Sequence, residues 1–364
     1  MVSCFQDPSQ ISLSNATLLA LLAKVESPVN MAQFRPIGLC NVSYKVIAKC
    51  LANRLQKLMP DLVDETQTRF VPKRHITYNI IILQEVIHTM SLKRGKKGLM
   101  VLKVDLAKAY NRINWSFLRS TLEAARLSND FIELVMACIT TIIIQVLWHE
   151  SCSEDFKPTR GLRQGCPLSP YIFTLCMERL SHCIKELVAS GSWNPIYLTN
   201  NGTPLTHLFF ADDLVLFGEA SVSQSSLILD CLERFCWASG EQISKDKSCI
   251  FFSKNTTTQT KNRISRQMGI SHTNNMGKYL GVPVIHGRFT QGTYKYILEK
   301  LDKRLIKLGW TFLNHEDQLW IKILHEKYVK QNNNGCSVRF WQDPWLADGI
   351  ILQDHITRAS QLPN

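Results

Sequence analysis

No two cysteines are spaced as CxxC, although the 364-residue chain holds 12 of them. A chain of this length buries a sizeable core without staples, so neither a zinc site nor a disulfide scaffold is expected. The cysteines read as small buried hydrophobes of a reducing compartment, with no disulfide partner. Membrane-length apolar runs are missing too. "ATLLALLAKV", from Ala16, is too short to span a bilayer. The start, "MVSCFQDPSQ", lacks a charged stretch followed by an apolar one, so no signal peptide is expected. These absences argue against a membrane partner and leave nucleus or cytoplasm. There is no internal repeat and no long low-complexity tract. Acidic residues are scarce: 30 Asp plus Glu against 42 Lys plus Arg, a net charge of +12. That excess suits a polyanion such as nucleic acid. Apolar residues make up 45%, which argues against wholesale disorder.

What is present alternates irregularly between helix and strand patterns. "NVSYKVIAKCLANRLQKLM" spaces Val46, Ile47, Cys50, Leu51, Leu55 and Leu58 as one helical face. "YNIIILQEVIHTM" predicts a second helix and "SLKRGKKG" an exposed turn. "LMVLKVDLAKAY" predicts a strand ending near Asp105. Two helices follow between Trp115 and Ile139, with Asn129 capping the second. "TTIIIQVLWHE" predicts a strand that "EDFKPTRG" returns as a hairpin. Ser169 as cap and Pro170 in the first turn open a helix through "KELV". "HLFFADDLVLFGE" predicts strand, tight turn, strand, and Gly240 ends the helix after it. "SCIFFS" and "KYLGVPV" are short strands, and Ile297, Leu301, Leu305 and Leu308 mark a basic amphipathic helix. The fold class is α/β in the mixed, α+β sense, with a sheet covered by helices on one face.

Asp212 and Asp213 sit between two apolar runs. Side chains alternate along a strand, so the pair cannot both enter the core. With no nearby lysine they repel each other unless protonated or given a divalent cation. A hairpin capped by Asp would explain the dipeptide alone. Asp105, however, also ends an apolar strand. Three carboxylates on one rim can hold two metals roughly 4 Å apart acting on a phosphate. Oxygen ligands suit Mg²⁺, with Mn²⁺ an alternative. "TRGLRQGCPLSPYIF" adds donors, Arg160, Arg163 and Gln164, near a helix start that favours phosphate. Gly161 and Gly165 allow close backbone approach there.

"FRPIGLCN", "VDLAKAYNRINW", "GLRQGCPLSP", "FADD", "SKDKS" and "YLGVPV" follow one another as in reverse transcriptases. They most closely resemble those of plant LINE-type (non-LTR) retrotransposons. The resemblance implies an RNA-directed DNA polymerase with right-hand fingers and palm, taking an RNA template, a DNA primer and dNTPs. It implies two Mg²⁺ ions on Asp105, Asp212 and Asp213. Tyr110 resembles the gate that excludes a 2′-hydroxyl, and Gln164 and Gly165 the loop contacting template and nucleotide. Arg35, with Lys24, resembles the triphosphate grip, and Lys247 a proton donor to pyrophosphate. Tyr279, Leu280 and Gly281 resemble the primer grip. The implied layout is a lead-in at 1–35, mainly fingers at 36–104 and palm at 105–285. A remnant thumb helix at 286–308 and a downstream remnant at 309–364 without a zinc knuckle complete it.

There are departures. Asn111 stands where Asp is usual, Ser244 where Asn is common and Lys73 where Gly is usual. The text beyond Leu308 resembles a region lying farther downstream, so the thumb is expected to be incomplete and the element truncated and internally deleted. Two other functions compete: a non-catalytic nucleic-acid-binding remnant, and another two-metal enzyme such as a nucleotide cyclase. Gln164, Tyr110 and "FRPI" speak against the latter.

Overall fold

The computed structural model describes residues 2–148, 151–198 and 202–284. They fall within one unit, Met1–Gly287; the second unit, Arg288–Asn364, lies outside the described residues. The expected thumb helix and downstream remnant therefore lie outside them as well.

The chain begins with a short helix, α1 (Val2–Gln6), and a 3-10 segment, Pro8–Ser14. Asp7 caps the latter by accepting from Ser9 N–H at 3.1 Å. Strands β1 (Ala16–Ala23) and β2 (Phe34–Cys40) pair antiparallel, from Thr17 opposite Cys40 to Ala23 opposite Phe34. Helices α2 (Val42–Leu62) and α3 (Ile76–Leu92) follow, then β3 (Leu99–Asp105). Next come α4 (Trp115–Ala124), α5 (Asn129–Thr140), β4 (Ile143–Trp148), β5 (Ser151–Cys152) and α6 (Ser169–Ala189). The hairpin β6 (His207–Phe210) and β7 (Asp213–Glu219) precedes α7 (Val222–Ser239), β8 (Cys249–Phe252) and α8 (Thr258–Met268). Short strands β9 (His272–Thr273), β10 (Lys278–Tyr279) and β11 (Val282–Pro283) end the described chain.

Two larger sheets and the two-stranded β10–β11 hairpin organise these elements among the described residues. The first has the order β2-β1-β4-β5, with β1 parallel to β4. The apolar run from Leu18 to Leu22 is thus an interior strand of this sheet rather than part of a lead-in. A run that short has no period to separate strand from helix, and its partners lie elsewhere in the chain. The second sheet has the order β6-β7-β3-β8-β9, with β3 antiparallel to both β7 and β8.

Alternation along β3 divides the core in two. Met100, Leu102 and Val104 face a large cluster with Leu118, Phe173, Met177, Leu232 and Phe235 of α4, α6 and α7. Val101, Val215 and Phe217 face a smaller cluster with Leu83, Val86, Ile87 and Met90 of α3 and with Tyr279 of β10. Both faces of the sheet are therefore covered, not one. A near-continuous apolar strand is what such two-sided burial requires.

Two helix ends differ from the sequence expectation. Ser128 precedes α5 as its cap, with Asn129 already inside. Ser169 is likewise inside α6, behind Leu168. Gly240 ends α7 as expected, at φ +82. Among the described residues no helix is long and apolar enough to cross a membrane. The described cysteines are free thiols.

Candidate functional site

Asp105 stands directly opposite Asp213 where β3 meets β7, and Asp213 in turn stands opposite Phe210 of β6. Opposed residues of an antiparallel ladder project from one face, their Cβ atoms about 4.5–5.5 Å apart. The three side chains thus form a row across three strands at one end of the sheet. Ala211 and Asp212 make the two-residue turn between β6 and β7, with Ala211 at φ +55. Asp105 and the adjacent pair Asp212 and Asp213, far apart along the chain, lie at this one rim.

Asp212 and Asp213 both reach solvent. The protein crowded around them still pushes both carboxyls above the usual range. For Asp213 burial is the main cause, then the charge of Asp212, with Lys103 pulling the other way. For Asp212 burial again leads; a backbone N–H offsets it, Asp105 adds to it and Arg69 opposes it. None of the three takes part in a salt bridge among the described residues. Nor does any group of three His, Cys, Asp or Glu side chains among them already converge on one point as metal ligands would. The donor set itself fits a hard divalent cation: carboxylate oxygens only, with mutual repulsion that such a cation relieves.

Beside this rim opens a cavity of about 280 Å³ lined by Arg35, Tyr110, Gln164, Gly165, Ser169 and Asp212. Tyr110 is stacked on Phe173, ring centres 4.5 Å apart and planes 12° from parallel. Its phenol is raised by burial, then by the charge of Asp212. The loop carrying Gln164 is stitched on both sides. Leu162 N–H donates to Tyr110 O at 2.5 Å, and Gly38 N–H to Gln164 O at 2.8 Å. Gly165 has φ +100, and a Cβ there would meet Gly38 O at 2.9 Å, so this position needs glycine. Arg163 is not a free donor as the sequence suggested. Its guanidinium donates to Asn15 Oδ1 and to Cys40 Sγ at 3.1 Å and lies over the Tyr44 ring.

The other named residues are arranged around this centre. Tyr279 is buried on the Asp213 face of the sheet, and Leu280 and Gly281, at φ +49 and +83, turn the β10–β11 hairpin. Lys24 lies two residues beyond Leu22, the ladder partner of Arg35. Lys247 is exposed, and its own side chain is not drawn into the cavity. Its turn is nevertheless tied to the rim: Ser248 Oγ accepts from Asp105 N–H at 3.1 Å, and Ser244 N–H donates to Asp105 O at 2.8 Å.

Sequence reasoning missed three residues. Lys103 points along the Asp105 face, and its Nζ donates to Lys278 O at 2.9 Å, so a lysine is near after all. Gln67, 1% exposed, accepts on Oε1 from Ala211 N–H at 3.1 Å and Arg69 N–H at 3.0 Å. Arg69 lies over both Phe70 and Phe210. Only for Lys103 was there a local signal, a charge at an inward position of an apolar strand.

A carboxylate rim thus stands at the end of a mostly antiparallel sheet, beside a cavity with arginine, tyrosine and a glycine-dependent loop. Residues 24–284 match the family described as "Reverse transcriptase (RNA-dependent DNA polymerase)", and the chain belongs to that family, with its fingers-and-palm fold. It is 26% identical over 233 residues to the "Transposon TX1 uncharacterized 149 kDa protein" of Xenopus laevis, covering 64% of this chain and 17% of that protein. It is 27% identical over 244 residues to the "Retrovirus-related Pol polyprotein from type-2 retrotransposable element R2DM" of Drosophila melanogaster, covering 67% and 22%. The chain thus spans less than a quarter of the length of these relatives. Among solved structures, telomerase from Candida albicans aligns at a TM-score of 0.49 and 15% identity, over 86% of this chain and 52% of that one.

Proposed function

We propose that this chain extends a DNA primer on an RNA template, joining a deoxynucleotide to the primer 3′-hydroxyl and releasing pyrophosphate. The observation that carries the reading is the opposition of Asp105 to Asp213, with Asp212 at the adjoining turn beside the cavity. Asp105, Asp212 and Asp213 would hold divalent cations, Mg²⁺ or Mn²⁺, which when bound lower the pKa of the attacking hydroxyl and neutralise the leaving pyrophosphate. The remaining residues position the reactants. Arg35, with Lys24 near it, takes the triphosphate; its fork suits phosphate oxygens. Tyr110 lies under the sugar, its ring fixed by Phe173. Gln164 and Gly165 meet the templating base and the nucleotide across the cavity. The β10–β11 hairpin with Tyr279 holds the primer end. Lys247 is the proposed proton donor to pyrophosphate, its turn anchored on Asp105. The basic net charge serves the nucleic acid, and the six motifs support a plant LINE-type lineage.

Purified protein with Mg²⁺, an RNA template and a DNA primer should give extended product, and Asp212→Ala should abolish it while leaving RNA binding intact. Equal product from both would assign the activity to a contaminant. RNA affinity should fall as salt rises, and an affinity flat from low to high salt would remove the polyanion partner.

A further inference from the structure

The chain between Thr66 and Phe70 is pinned to the turn that carries Asp212. Phe209 N–H donates to Thr66 O at 2.9 Å, and Thr68 N–H to Phe209 O at 3.2 Å. These extend the sheet by one short parallel step beyond β6. The buried Gln67 carboxamide then holds Arg69 N–H and Ala211 N–H on a single oxygen. One side chain therefore fixes the spacing between Arg69 and the residue preceding Asp212.

The Arg69 guanidinium lies 4.7 Å from the centre of the Phe70 ring and 4.7 Å from that of Phe210. Phe210 continues the Asp105–Asp213 row across the sheet. Arg69 thus packs a cation against the Phe210 end of that row. It is exposed, and it forms no salt bridge among the described residues. Rings hold the flat face of a guanidinium and leave its N–H edges pointing outward. Its charge also opposes the rise at the Asp212 carboxyl and the Tyr110 phenol, two groups that line the cavity.

We propose that Arg69 is a phosphate-binding residue of this site, gripping the triphosphate of the incoming nucleotide opposite Arg35. Stacking fixes the guanidinium before the ligand arrives, so little side-chain freedom is lost on binding. The identity of the ligand rests on the polymerase reading; the phosphate site itself does not.

The test is calorimetric titration of the full chain with inorganic tripolyphosphate and with dATP, both in Mg²⁺. Arg69→Ala should weaken both by about 10- to 100-fold, the loss of one charge-assisted contact. Arg69→Lys should fall between, keeping charge without the fork. Should the alanine variant unfold, Arg69→Gln keeps bulk over the rings and loses the charge. Affinity for an RNA–DNA duplex should change by less than about twofold, since a nucleotide contact leaves the duplex phosphates alone. Unchanged tripolyphosphate affinity overturns the proposal, and so does a loss confined to the duplex. A wild type that fails to extend a primer while the tripolyphosphate difference persists removes the polymerase reading and leaves the phosphate site standing.

Discussion

Asp105 and Asp213 are direct partners across the β3–β7 ladder, and both project from the face that carries the β10–β11 hairpin. Two like charges opposed in this way destabilise a ladder when left alone. Asp105→Asn and Asp213→Asn keep the shape and remove the repulsion. Each should lower primer extension by roughly 1000-fold, the equivalent of several kcal/mol of lost charge stabilisation. Thermal stability should hold or rise. Primer extension and a melt on the same preparations check this, and wild-type extension by either variant removes that carboxylate from the chemistry.

Lys103 joins this face to the hairpin through its bond to Lys278 O. The bond is exposed, so Lys103→Met should cost only about 0.5–1.5 kcal/mol of stability. Its effect on synthesis should be larger than that. With the hairpin untethered, the primer end wanders and kcat falls about tenfold while the KM for dNTP stays near wild type. Lys103→Arg should recover part of it. A single-turnover series separates the two parameters, and a change in dNTP KM alone would place Lys103 on the nucleotide instead.

Much of this layout can be read from local sequence. Strand β3, the β6–β7 hairpin and the end of α7 at Gly240 follow from apolar runs bounded by Asp, Gly and turn residues. So does the gathering of Asp105, Asp212 and Asp213, because Asp105 ends a strand, Asp213 begins one and Asp212 sits in the turn just before it. The rest depends on pairing between distant segments. Gln67 reaches Ala211 only because Thr66–Thr68 adds to the edge of β6, and nothing near Gln67 announces that. Arg163 reads as a donor for phosphate until Asn15 and Cys40 take its N–H groups. The run from Leu18 to Leu22 looks like a lead-in until β4 supplies its second partner. In each case the deciding contact is far away in sequence and leaves no local periodicity.

Tyr110 stacks on Phe173 while lining the cavity with Asp212. A ring held this way is a rigid wall, which is what discrimination against one hydroxyl needs. Tyr110→Ala should raise ribonucleotide incorporation relative to deoxynucleotide by roughly 10- to 100-fold. Tyr110→Phe keeps the wall and should discriminate like wild type. Competition of rATP with dATP on one primer measures the ratio. An unchanged ratio in the alanine variant makes Tyr110 a core aromatic only.

Glu241 follows the Gly240 cap with both carboxyl oxygens buried and without hydrogen-bond partners among the described residues, at 4% exposure. Burial drives its pKa up to about 8 from an ordinary 4.5; Arg112 offsets part of this, and Asp212 adds to it. The folded carboxyl therefore keeps its proton in a range where the unfolded one has lost it. Stability from this group is complete below pH 4.5 and is lost as pH rises through 8. Glu241→Gln keeps the shape and abolishes the linkage. The variant should match wild type near pH 4.5 and exceed it by about 2–4 kcal/mol at pH 8. Urea melts at the two pH values, compared between the proteins, isolate the effect from every other titrating group. A stability difference that does not grow with pH would mean that Glu241 is already ionised and partnered in the fold.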